Sequence, residues 1–223
     1  CPFMEEAKPE YFIMQKSLES AFIKKGINEK SLLNTGIPVS SNFIKNAKSL
    51  RKEYNILENE KVALVMLGSM GFGEIDNIIN PLLKENLKII VICGTNKELY
   101  DKLNECKNDN LIVIGFTKNI NDFIYSADYV LSKPGGLSST EIASIHKPLL
   151  HIYPIPGIET YNTLFFEKNK MSMKCDNDKE IIKNLKYLMN NDDICKEMIQ
   201  NQKKIINENS ASDLVKFILD HFN

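Results

Sequence analysis

Ser132-Lys133-Pro134-Gly135-Gly136-Leu137-Ser138-Ser139-Thr140-Glu141 gathers two glycines, three consecutive hydroxyls and a carboxylate where an apolar run gives way to helical spacing. Glycines at a strand-to-helix turn leave backbone N–H groups and the positive end of a helix dipole aimed at one spot, which is the chemistry of a diphosphate site. The N–H groups of Gly135 through Ser138 are candidate donors, with the hydroxyls of Ser138, Ser139 and Thr140 beside them. Glu141 offers a fixed pair of acceptor oxygens for two ribose hydroxyls; the bland alternative is a helix-dipole partner, or an S-x-x-E capping box with Ser138. Lys133 could neutralise phosphate charge, although a lysine needs no such reason to be there.

Three other loops carry chemistry-capable residues. Leu67-Gly68-Ser69-Met70-Gly71-Phe72-Gly73 follows the first strong apolar run but matches neither the dinucleotide G-x-G-x-x-G nor a P-loop, so NAD and ATP lose support. Tyr153-Pro154-Ile155-Pro156-Gly157-Ile158-Glu159-Thr160-Tyr161-Asn162 is a stiffened loop running into a helix, with Glu159 and Asn162 three apart and facing one way, able to read sugar hydroxyls. Ile114-Gly115-Phe116-Thr117 ends a strand, where exposed backbone groups could pair with a base edge. His146, His151 and His221 have no triad or metal spacing, and the first two read as structural. No residue stands out as a general base.

Five apolar runs place these loops: 61–67, 88–93, 111–114, 128–131 and 149–152. Helical spacing at 74–87, 96–105, 120–125 and 140–145 falls between them, which predicts an α/β, Rossmann-like doubly wound parallel sheet. Before it, 10–14 reads as a strand and 15–25 as a helix closed by Gly26; the broken segment 33–39 suits a linker. That divides the chain into residues 1–35 and 36–223. Three helices are predicted near the end, at 180–189, 193–208 and 212–222, with Ser212 and Asp213 as caps of the last.

The 223 residues carry 28 basic against 29 acidic side chains, so no overall field favours nucleic acid and any anionic ligand must be held locally. Five scattered cysteines without a C-x-x-C pair point to neither a disulfide framework nor a zinc site, and a reducing cytoplasm is the simplest setting. The first residues are not an export signal, and the start at Cys1 rather than Met hints at a piece of a longer protein.

In this order, Gly68-Ser69-x-Gly71, Gly115-Phe116-Thr117, Ser126-Ala127-Asp128, Lys133-Pro134-Gly135-Gly136-Leu137 with Glu141, and Pro156-Gly157-x-Glu159-x-x-Asn162 resemble the glycolipid glycosyltransferases. These are the bacterial diacylglycerol glucosyltransferases and plant monogalactosyldiacylglycerol synthases, similar to the peptidoglycan GlcNAc transferase. The resemblance implies the GT-B architecture, with this chain as its C-terminal, donor-binding half plus the last strand and helix of the acceptor domain. It implies that Phe116 and Thr117 hold uracil, that Gly68, Ser69, Lys133 and Gly135 through Ser139 (Gly136, Leu137 and Ser138 between them) hold the diphosphate, and that Glu141 holds the ribose. Gly157, Glu159 and Asn162 would face the sugar.

The implied reaction moves a hexose from a UDP-sugar to diacylglycerol without a metal or other cofactor, at the inner face of the membrane, the lipid and the catalytic base being held by the absent domain. Ile158 replaces the Gln usual before Glu159, which leaves the hexose open. Alternatives are a polyprenyl-linked peptidoglycan precursor as acceptor, a UDP-GlcNAc 2-epimerase, and a nucleotide-sugar-binding module without catalysis.

Overall fold

The computed structural model describes residues 9–66, 75–157 and 159–222. The domain is built on six parallel strands: β3 (Val62–Met66), β4 (Lys88–Ile92), β5 (Leu111–Ile114), β6 (Tyr129–Ser132), β7 (Leu149–Ile152) and β8 (Met173–Cys175). Their order across the sheet is β5-β4-β3-β6-β7-β8. Register pairs Leu64 with Ile90 on one side of β3 and with Val130 on the other. The four central strands are mainly apolar, with polar residues at Lys88, Ser132 and His151, and Val62 through Val65 are fully buried, as expected of strands covered on both faces. Each such Val, Leu or Ile contributes roughly 1.5–3 kcal/mol of burial.

Two short strands precede this sheet, β1 (Phe12–Ile13) and β2 (Leu32–Leu33), which pair parallel with each other as a separate two-stranded sheet. Between them lie two 3-10 turns (Lys16–Leu18 and Glu29–Ser31) and helix α1 (Glu19–Lys24), which stops before Gly26 at φ +84°. Helix α2 (Ser41–Lys45) leads toward the large sheet. The crossovers are α3 (Asp76–Leu82), α4 (Lys97–Asn104), α5 (Ile120–Ser126), α6 (Gly136–Ser144) and α7 (Thr160–Lys168), followed by α8 (Asp178–Met189), α9 (Asp192–Ile205) and α10 (Ser210–Phe222). α3 packs on α8, and α6 on α9.

Several expectations shift. The strand at 10–14 shrinks to two residues, because nothing in the large sheet pairs with it. β8 is an addition that the apolar-run criterion passes over, since Met-Lys-Cys on an edge is neither long nor uniformly apolar. α10 starts at Ser210, so Ser212 and Asp213 lie inside it, and the Ser210 hydroxyl instead accepts the Val39 N–H at 3.1 Å. That bond, the 3.2 Å bond from Asn207 Nδ2 to the Thr35 carbonyl, and the edge contact of Tyr11 with Phe217 at 4.9 Å fasten residues 11–39 to the C-terminal helix. Among the described residues no helix is long and apolar enough to cross a membrane.

Candidate functional site

Since all six strands are parallel, the loops after Met66, Ile92, Ile114, Ser132 and Ile152 line one edge of the sheet. Strand order reverses between β3 and β6. At such a reversal the flanking loops leave toward opposite faces and open a crevice, where open α/β sheets bind ligands. The loop after β6 is the glycine turn. The loop after β3, with Gly68 and Ser69, falls outside the described residues.

The glycine turn is tight. Gly135 N–H donates to the Lys133 carbonyl at 2.8 Å, closing a turn around Pro134, and Gly135 takes the extended N-cap position of α6 (φ −65°, ψ 137°). Ser139 N–H makes the first intrahelical bond, to the Gly135 carbonyl at 2.9 Å. The N–H groups of Gly136, Leu137 and Ser138 precede it and point out of the helix end, with no acceptor among the described residues. Gly135 is therefore engaged in the turn and withdraws from the expected donor set, which narrows to three.

The hydroxyls divide in the same way. Ser139 and Thr140 are buried, the first within 2.9 Å of His151 Nε2 and the second donating to the Gly136 carbonyl at 2.7 Å. Both expected phosphate contacts from these side chains are thus replaced by internal bonds, because one and two steps of helical rotation beyond Ser138 point into the core. Ser138, half-buried at the helix mouth, keeps its hydroxyl unengaged by any described residue. Among the described residues no side chain caps α6, so the S-x-x-E box does not form. Glu141 is half-buried, its carboxylate has no hydrogen bond or ion pair within the described residues, and burial raises its pKa above the usual carboxylate range.

The third loop is fastened to the second. Asn162 Nδ2 donates to the Pro134 carbonyl at 2.9 Å, and a side chain at Gly136 would place its Cβ 3.3 Å from Ile37 and 3.6 Å from Asn162. Glycine at 136 lets the three segments approach that closely. Glu159 accepts the Ile155 N–H at 2.8 Å, bending the loop over the start of α7, and Gly157 turns it at φ +86°. Lys133 is buried, which lowers its pKa, while the carboxylate of Glu159 pulls it back up. Lys133, Glu159 and Asn162 thus gather around the turn. Ile158 lies outside the described residues.

Phe116 stands 69% exposed at the end of β5, free for a planar partner, and Thr117 Oγ1 accepts the Asn119 N–H at 3.1 Å. A hollow of about 300 Å³ adjoins it at the ends of β4 and β5, lined by Gly94, Tyr100, Asp101 and Gly115. On the other side of the glycine turn, an apolar cavity of about 450 Å³ runs from Gly136 and Asn162 to Met14, Leu18, Ile37 and Phe165.

Ser126-Ala127-Asp128 sits at the opposite end of the sheet. Asp128 pairs with Arg51 at 2.6 Å and accepts the Val62 N–H at 2.8 Å, while the Ser126 hydroxyl accepts the Leu50 N–H at 2.7 Å. This motif clamps the segment that leads into β3 and does not face the crevice. His151 is fully buried between Ser139 and Ser172, the structural place expected of it; its links span 12 and 21 residues, which no local pattern signals.

The glycosyltransferase family 28 C-terminal domain matches residues 62–217, the six-stranded sheet and its helices. The chain belongs to this family. The chain is 27% identical over 216 residues to a processive diacylglycerol beta-glucosyltransferase of Bacillus cereus (strain G9842), covering 94% of this chain and 56% of the relative. The chain thus spans little more than half the length of that relative.

Among solved structures, a UDP-N-acetylglucosamine 2-epimerase superposes with a TM-score of 0.70 at 14% identity, over 97% of this chain and 58% of that one. Acinetobacter baumannii MurG gives 0.61 at 17% identity, over 98% and 76%. Anabaena Alr3699/HepE in complex with UDP-glucose gives 0.57 at 14% identity, over 93% and 64%. At these identities the likeness is one of fold, that of the C-terminal half of a GT-B enzyme.

Proposed function

We propose that this family 28 domain binds the UDP-sugar donor of a glycosyltransferase that transfers a hexose to diacylglycerol. The observation that carries the reading is the α6 turn: three undirected N–H donors and the Ser138 hydroxyl open at the reversal of strand order, with the unengaged Glu141 carboxylate just behind. Three donors at a helix start suit a diphosphate, and a carboxylate one turn deeper suits the vicinal hydroxyls of a ribose. Phe116 supplies an exposed face for uracil, and Gly157, Glu159 and Asn162 border the hexose. The turn N–H groups would also stabilise charge developing on the departing UDP, as fixed dipoles do in a water-poor site.

Diacylglycerol as acceptor follows the Bacillus cereus relative and the Lys133-to-Leu137 and Pro156-to-Asn162 motifs. In this reading residues 1–35 belong with an acceptor-binding part, which holds the lipid and the base at a membrane surface. The test uses the complete gene product with UDP-glucose or UDP-galactose and vesicles containing either diacylglycerol or a polyprenyl-diphosphate acceptor. Hexose transfer to diacylglycerol supports the reading, and transfer to the polyprenyl acceptor alone overturns it.

A further inference from the structure

His151 lies on β7, register-paired with Ser132 of β6 and Lys174 of β8, and is wholly buried. Both of its ring nitrogens are engaged: Nε2 with the Ser139 hydroxyl at 2.9 Å and Nδ1 with the Ser172 hydroxyl at 3.0 Å. A neutral imidazole has one donor and one acceptor nitrogen, and a hydroxyl can serve either, so the chain Ser139–His151–Ser172 is satisfied in both tautomers. Phe166 closes over the ring edge with centroids 5.1 Å apart, holding its plane. Burial depresses the imidazole pKa to about 3, so the ring stays neutral at every physiological pH.

The place this chain reaches is more informative than its strength. Ser139 is the residue whose N–H closes the first turn of α6 onto Gly135, directly after the three free donors. Its side chain is the point where that turn is fixed to the sheet. On the other flank, Asn162 fixes the Pro134 carbonyl at 2.9 Å. The donor turn is thus held from two sides, by a side chain from α7 and by a ring standing on β7.

We propose that His151 is a positioning residue for the diphosphate, setting through Ser139 the height and rotation of the Gly136–Ser138 N–H groups. The inference rests on the UDP-sugar reading of the same turn. Oriented donors lose value steeply with displacement, whereas the contact to the base, made by Phe116 at the end of β5, does not depend on this strut.

The test uses the 223-residue chain, with UDP and uracil titrated calorimetrically beside thermal unfolding. His151→Gln places an amide where Nε2 stood and keeps the reach to Ser139; His151→Asn keeps only the reach to Ser172. Ser139→Ala removes the α6 end of the strut alone. We expect His151→Asn and Ser139→Ala each to weaken UDP about tenfold with uracil unchanged, and His151→Gln to stay within about threefold of the native chain.

A purely structural His151 would lower the melting temperature of both His151 variants alike and leave the UDP-to-uracil ratio where it was. That result, or a parallel loss of UDP and uracil, overturns the inference while leaving the donor site standing. Failure of the native chain to bind UDP removes the donor reading and this inference with it.

Discussion

Replacing Glu141 by Gln should move stability and ligand affinity in opposite directions. The carboxylate is half-buried and makes no bond to a described residue, and burial raises its pKa in the folded chain above the unfolded value. A raised carboxyl pKa means that the folded chain holds the proton more tightly; the stability this confers is full at low pH and lost as pH rises through the folded value. Above the unfolded pKa the free domain therefore bears a cost for this buried carboxyl group that an amide does not incur. Glu141→Gln should raise the melting temperature at pH 7, and the gain should shrink toward zero as the pH falls below the carboxylate range.

Hydrogen bonds to a charged acceptor are worth about 1.5–3 kcal/mol, or roughly 10- to 150-fold in affinity. Gln keeps one acceptor oxygen and should lose UDP near the lower end, whereas Glu141→Ala should approach the upper end. Uracil alone, lacking the ribose, should bind all three chains equally. Calorimetric titration with UDP and uracil, alongside thermal melts from pH 4 to 8, reads both effects. Equal losses for UDP and uracil, or a melting temperature that falls on Glu141→Gln at pH 7, would refute the ribose assignment.

Other substitutions separate site from scaffold. Phe116→Ala, at an exposed ring, should leave the melting temperature within about 0.5 kcal/mol of stability, yet weaken uridine and UDP alike by a stacking loss of about 1–3 kcal/mol. Asp128→Asn breaks the pair with Arg51 and should cost about 1–3 kcal/mol in urea unfolding without changing UDP affinity. Gly36→Ala must hold a side chain at φ +76° with its Cβ 2.7 Å from Gln15 Nε2, so denaturant melts should register a loss of about 1–2 kcal/mol from backbone strain alone.

The central strands were legible because burial on both faces favours apolar runs, and Val62–Val65, Ile89–Ile92 and, around the buried His151, Leu149–Ile152 supply them. Strand order was not, since a run such as Leu149–Ile152 carries no mark of its neighbour. β8 escaped notice for want of length, and the Ser41–Lys45 helix for the same reason. At the site, the two glycines located the turn, but the division of labour among Ser138, Ser139 and Thr140 depends on the rotation at which α6 meets the sheet. That rotation is set by His151, Asn162 and Ile37, all distant in sequence. Ser126-Ala127-Asp128 marks the converse case, a motif that accompanies the family and serves the scaffold.

The central claim is that the crevice above the α6 turn takes a uridine diphosphate, and titration of the 223-residue chain with UDP tests it most directly. Binding that saturates well below millimolar UDP, with a melting temperature that climbs with ligand concentration and a clear preference over UMP, is the predicted result. No heat and no thermal shift at millimolar UDP would contradict it.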